Sequence, residues 1–371
     1  MRRAFVVTLL LVLAGCPRRE APRESQTTPA TVTPSAAPSA TLPPSASAPN
    51  PSARRAVAAI PRKGVEKGKL TSIGAQAGQF AGLAVDAGNA YLLAFDQLNA
   101  RATLKRLPRD GRNGAIVGAS KSPSRPGSLR VDERAAYFVH GKELRKISLS
   151  GGEATTLLAD VKGPVALAEQ ALWVVRCNVA EKKDELVSVS SAGGEPRVRA
   201  SWPRSGSGKD CDYGDIAIDK DDFFLGDATN RRILGISRAD GSLRELSVKQ
   251  PYPQRIAIES EHLVFQASSG LFRVKKSAGP AEKISRWGAT PFHFFAWDDH
   301  QFFVFNGEAY GTRHTLLVLP PSGGEGKELE WFAIADVVSG SGVSDIAVDD
   351  ACVYLAKYVD RYVEILARPK P

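Results

Sequence analysis

Five histidines, His140, His262, His293, His300 and His314, are the first residues of this 371-residue chain to weigh as metal ligands or proton carriers. Only His293 and His300 lie near one another, with Asp298 and Asp299 between them. Imidazole and carboxylate hold zinc only when their atoms converge on one point. An extended strand rising ~3.3 Å per residue sets these two rings roughly 20 Å apart, beyond the reach of one ion. Asp219, Asp221 and Asp222 form a second cluster, with Asp212 and Asp215 just upstream. Hard oxygen ligands suit calcium, but the spacing is not that of a calcium-binding loop. No GxSxG, HExxH or phosphate-loop sequence occurs, and the SGSG runs at 205–208 and 339–342 lack the Lys-Ser/Thr end that phosphate binding requires. No metal or cofactor is expected, and a binding role is favoured over an enzymatic one.

The remaining reactive side chains are four cysteines, Cys16, Cys177, Cys211 and Cys352, none in CxxC spacing. Cys16 ends the sequence MRRAFVVTLLLVLAGC. Arg2 and Arg3 make a charged start, and the apolar stretch after them is far short of the ~20 residues that span a bilayer. Residues 1–15 therefore read as a signal peptide. Leu13-Ala14-Gly15-Cys16 resembles the lipobox of bacterial lipoproteins, which implies a lipid on the Cys16 thiol. The family's inner-membrane retention signal is an Asp where this chain has Pro17, so the expectation is a cell-envelope protein lipid-anchored in the outer membrane. Residues 17–62 hold ten of the 24 prolines and no aromatic residue. Such a segment buries too little to offset its ordering entropy and is expected to be an extended tether. The net charge of +9 lies mostly in these first 62 residues and falls to +3 over residues 63–371. A folded part so nearly balanced has no basic face for nucleic acid.

The elements that must position any site repeat along residues 63–371. Each unit has an apolar strand ending in an acid, a short turn, and a strand of aromatic and β-branched residues. GLAVDAGNAYLLAF, SLRVDERAAYFVHG, VALAEQALWVVRC, DIAIDKDDFFLGDA, RIAIESEHLVFQAS, FFAWDDHQFFVFN and DIAVDDACVYLAK are the seven instances. Their acids, Asp86, Asp132, Glu169, Asp219, Glu259, Asp298 and Asp349, are spaced by 46, 37, 50, 40, 39 and 51 residues. Short strands at this period are the mark of propeller blades. A third strand, a glycine turn and a more polar fourth strand complete each unit except the last, which stops at Pro371 after three strands. A spare strand, KLTSIGA at residues 69–75, precedes the first unit. The sequence thus predicts an all-β fold, a single seven-bladed β-propeller of four-stranded antiparallel blades. Residues 69–75 pair with residues 363–368 and fasten the ring. An Asp starting such a turn has a plain structural use, accepting hydrogen bonds from backbone N–H groups two residues on.

The repeat resembles bacterial propeller families of the TolB, NHL and gluconolactonase types over roughly residues 65–371. Together with the lipobox it is similar to propeller lipoproteins of myxobacteria-like genomes. The gluconolactonase type would imply a hydrolase or lyase with a central divalent metal held by Glu, Asn and Asp, but no residue-by-residue match to those ligands exists here. In a propeller, loops leading into inner strands and loops between second and third strands share one rim. That rim is expected to include Asp96, Asp212, Tyr213, Asp215, Arg255, His293, Asn306 and Asp345, and to bind a protein, peptide or glycan. Cys177 and Cys211 fall on neighbouring loops of the same rim. Export favours a disulfide between them, closing a loop worth at most ~4 kcal/mol in the chain-entropy picture. Cys352 falls within a strand and reads as a buried thiol.

Overall fold

Second strands that are apolar on both faces set the architecture. Ala135–His140 is buried at every residue and Asn89–Asp96 at all but its two ends. A strand buried on both faces needs another layer on either side, which a ring of blades supplies. The computed structural model describes residues 69–204, 212–246, 252–284, 292–307, 313–324, 326–333, 342–359 and 362–371. Cys16, the expected signal peptide, the tether over 17–62 and Cys211 lie outside them. The described residues form seven sheets, antiparallel but for one short added strand. Their innermost strands follow one another around the ring: Gln79–Val85, Gly127–Val131, Val161–Ala168, Tyr213–Ile218, Gln254–Glu259, Phe292–Trp297, Gly342–Val348, and back to Gln79–Val85. These define blades one to seven.

The apolar core is divided among the blade junctions. One buried cluster joins Phe80, Leu83 and Leu92 of blade one to Tyr354, Val363 and Ile365 of blade seven. Another joins Leu186 and Trp202 of blade three to Phe223 and Leu225 of blade four. Because apolar surface is buried between blades, the axis of the ring is left open for a channel.

Closure is as the strand count requires. Thr71–Ala77 pairs antiparallel with Tyr362–Pro369 as the outer strand of blade seven, from Thr71↔Ala367 to Ala77↔Tyr362. The strand starts two residues later than residues 69–75. A register shift between Ser72 and Gly74 accompanies a φ of 149° at Gly74, where an added Cβ would stand 2.6 Å from Leu107. Two blades depart from the common plan. Blade one gains a short parallel strand, Gly152–Glu153, beside Ala115–Lys121. The outer strand of blade five is only Glu282–Lys283.

The turn acids divide by type. Asp86 accepts the N–H groups of Gly88 and Asn89, both at 2.7 Å, and the Tyr91 hydroxyl at 2.7 Å. Asp132, Asp219, Asp298 and Asp349 likewise accept the N–H groups two and three residues on. The Tyr137 and Tyr354 hydroxyls repeat the Tyr91 contact at 2.8 Å. Glu169 and Glu259 do not serve the turn this way. Glu169 and Gln170 take φ of 52° and 63°, as in a tight two-residue hairpin turn. Four of the acids also hold the next blade. The basic residue just after that blade's third strand reaches back to them: Arg109 to Asp349 at 2.9 Å, Arg238 to Glu169 at 2.8 Å, Lys276 to Asp219 at 2.8 Å and Lys370 to Asp298 at 2.5 Å.

Candidate ligand-binding site at the channel mouth

Six of the seven inner strands carry a register shift, within two to eight residues before the turn acid; blade six alone has an unbroken ladder. A bulge re-aims the side chains beside it. The position four residues before the acid is Gly82, Ser128, Val165, Asp215, Arg255, Phe294 and Asp345 in turn around the ring. The position two before it is Ala84, Arg130, Leu167, Ala217, Ala257, Ala296 and Ala347. Strand alternation places both sets on one face, and most of them line a cavity of about 880 Å³ at the mouth of the axial channel.

Four of the charges inside this cavity are arranged in two pairs, each spanning an intervening blade. Arg130 of blade two meets Asp215 of blade four at 3.1 Å. Arg255 of blade five meets Asp345 of blade seven. Each carboxylate is further fixed by backbone: Asp215 accepts the N–H groups of Ile216 at 2.9 Å and Ile256 at 3.1 Å, and Asp345 that of Ile346 at 2.7 Å. Arg255 also donates to the carbonyls of Phe295 at 3.1 Å and Ile346 at 3.2 Å, and lies over the Phe294 ring. Burial pushes its guanidinium down to about 10, with Asp215 opposing and Arg130 adding to the fall. It therefore stays charged at neutral pH. Arg125 and Lys162 line the same cavity, so its described side chains carry four cations against two carboxylates.

A central divalent metal does not fit this donor set. Both carboxylates of the channel are engaged by guanidinium groups, and a cation would have to displace one of them. Among the described residues no three His, Cys, Asp or Glu side chains converge as metal ligands.

The residues singled out from sequence separate into three groups. Tyr213, Asp215, Arg255 and Asp345 line the cavity together. The Tyr213 ring is buried, and its hydroxyl donates to Asp184 at 2.7 Å and accepts from Trp202 at 3.1 Å. Asp96 closes its own loop by accepting the N–H groups of Leu98 at 3.0 Å and Asn99 at 3.3 Å, and Asp212 is exposed ahead of its inner strand. His293 and Asn306 are register partners on adjacent strands of blade six. Cys177 is the penultimate residue of the second strand of blade three and is disulfide-bonded, while Cys352 is a buried free thiol. Sequence reasoning passed over Arg130, although it was visible as the one charge in a column of alanines and a leucine.

The surrounding rim carries exposed apolar side chains. Leu98 is 97% exposed at the tip of a loop between second and third strands, and Val179, Tyr252 and Tyr362 stand on the same rim.

No family model and no curated protein matches this chain. Solved structures match in fold. The C-terminal WD40 domain of Sif2 aligns with a TM-score of 0.54 at 12% identity, over 82% of this chain and 99% of that one. The extracellular domain of a putative hybrid two-component system from B. thetaiotaomicron aligns with a TM-score of 0.56 at 13% identity, over 80% of this chain and 39% of that one. PorZ of Porphyromonas gingivalis aligns with a TM-score of 0.51 at 12% identity, over 80% and 38%. At these identities the likeness is one of fold.

Proposed function

We propose that this chain is a binding module of the bacterial cell envelope, tethered to the outer membrane by a lipid on Cys16 and engaging a partner protein with the rim that surrounds the channel mouth. The observation that carries the binding face is the cavity of about 880 Å³, where cations outnumber carboxylates among the described side chains, set within a ring of exposed apolar loop tips. Concave pockets and exposed apolar side chains each mark recognition surfaces. PorZ, similar in fold, is described as an essential bacterial surface component of the type-IX secretion system; a role at the cell surface is the part of that description proposed here. Nucleic acid is not a proposed ligand, since +3 over residues 63–371 gives no basic face of the needed size.

The face is tested by placing a photo-crosslinking amino acid at Leu98 or Val179 on this rim, or at the exposed Glu133 on the opposite one, in the producing cell. Discrete adducts are expected from the first two positions and none from Glu133. Adducts from Glu133 alone would contradict the assignment. The anchor is tested separately: Cys16→Ser protein should leave the membrane fraction, and full retention there would refute the lipid attachment.

A further inference from the structure

We propose that the channel mouth continues outward as a basic groove between blades two and three, and that this groove takes an extended acidic peptide segment of the partner. The proposal rests on the binding face argued above and names the chemistry of what binds there.

A second cavity, of about 520 Å³, is lined by Lys142, Asp160, Val161, Lys162, Arg176 and the run from Cys177 to Ala180. Lys162 lines both cavities, so the two adjoin over one side chain. Among the described residues around this path the cations outnumber the acids. Arg176 is engaged by Glu185 at 2.6 Å. Arg125 and Lys142 are exposed and have no acidic partner among the described residues. Among the described residues Asp160 is the one acid lining the outer cavity. Unpaired cations beside a groove favour an anionic ligand and speed its approach.

The remaining lining decides among anionic ligands. Among the described residues no aromatic side chain lines the outer cavity, so they give a nucleobase no stacking platform and a sugar ring no flat face. What the groove offers instead is aliphatic: Ala180 and Val179, both exposed, at its outer end. Acidic side chains alternating with apolar ones along an extended peptide match both features, because successive residues of a strand face opposite ways.

The test uses the full chain in detergent micelles and a fluorescein-labelled decapeptide of alternating Glu and Leu. A Lys-Leu decapeptide of equal length and an oligogalacturonate of equal charge are the comparison probes. The Glu-Leu peptide is expected to bind, more weakly as salt rises, and the Lys-Leu peptide is not. In the double variant Lys142→Glu with Arg125→Glu, binding should weaken by about tenfold or more. Both positions are exposed, and an unchanged melting profile shows that the variant is folded. Equal affinity for the two peptides overturns the proposal, as does unchanged affinity in the double variant. Tighter binding of oligogalacturonate overturns it in favour of a glycan. If the groove fails while Leu98 and Val179 still form adducts, the binding face survives without it; if the adducts also fail, both readings fall.

Discussion

His140 shows how one buried side chain ties a junction to solution conditions. It ends the second strand of blade two with 1% exposure, and its Nδ1 lies 2.7 Å from the Ser120 hydroxyl on the outer strand of blade one. Arg145 donates to the same hydroxyl at 2.7 Å, and the rings of Phe95 and Phe138 pack nearby. Burial holds the imidazole below its ordinary value, and Arg145 adds to that, against Ser122, Ser124 and Glu143. A folded-state value below the unfolded one means that the unfolded chain binds the extra proton. The stability His140 supports is full above about pH 6.5 and is lost as the pH falls. Asp86, Asp219 and Asp298 are also lowered, by hydrogen bonds and lysine partners that outweigh burial, so their share is lost only below about pH 4. Asp349 is pushed up by burial and acts in the opposite sense, but equally in any comparison that leaves it in place. The melting temperature should therefore drop between pH 7 and pH 5, and His140→Gln, which keeps a hydrogen-bonding group beside Ser120, should drop less. Equal drops in the two proteins would remove His140 from the account.

At the scale of strands and loops, the disulfide is the sharpest expectation. Cys177 is disulfide-bonded, and pairing with Cys211 would staple the second strand of blade three to the loop ahead of blade four. Non-reducing peptide mapping should recover those two peptides joined; alkylation of both thiols without reduction would reject the bond. Strand order and blade number were legible because each inner strand ends on an acid followed by an apolar second strand buried from both sides, as at Asp132 and Ala135–His140. The inward side chains were only half legible. Asp215, Arg255 and Asp345 stand out at one repeat position, and Arg130 at another, but which side they face depends on a bulge that leaves no composition signal. The four clasps across blades were hidden for a different reason. Each joins residues of different units, such as Arg109 and Asp349, so no local pattern announces it. The parallel strand Gly152–Glu153 is held by two register pairs and had no sequence signature of its own.

The whole molecule depends on joining its ends. Without Thr71–Ala77, Tyr362–Pro369 becomes an exposed sheet edge, and Ile73 is withdrawn from a cluster that also holds Phe80, Tyr354 and Ile365. Blades seven and one would then lose packing at the junction that completes the channel, and the Arg255–Asp345 pair at its mouth includes a residue of blade seven. Binding at the rim presupposes this closed ring. The most direct measurement compares the melting temperatures of two deletions, residues 69–77 and residues 20–50. The first should lower the midpoint by about 10 °C or more, from the loss of several kcal/mol of packing, and the second should leave it unchanged. Equal midpoints for the two proteins would contradict a ring fastened by its N-terminal strand.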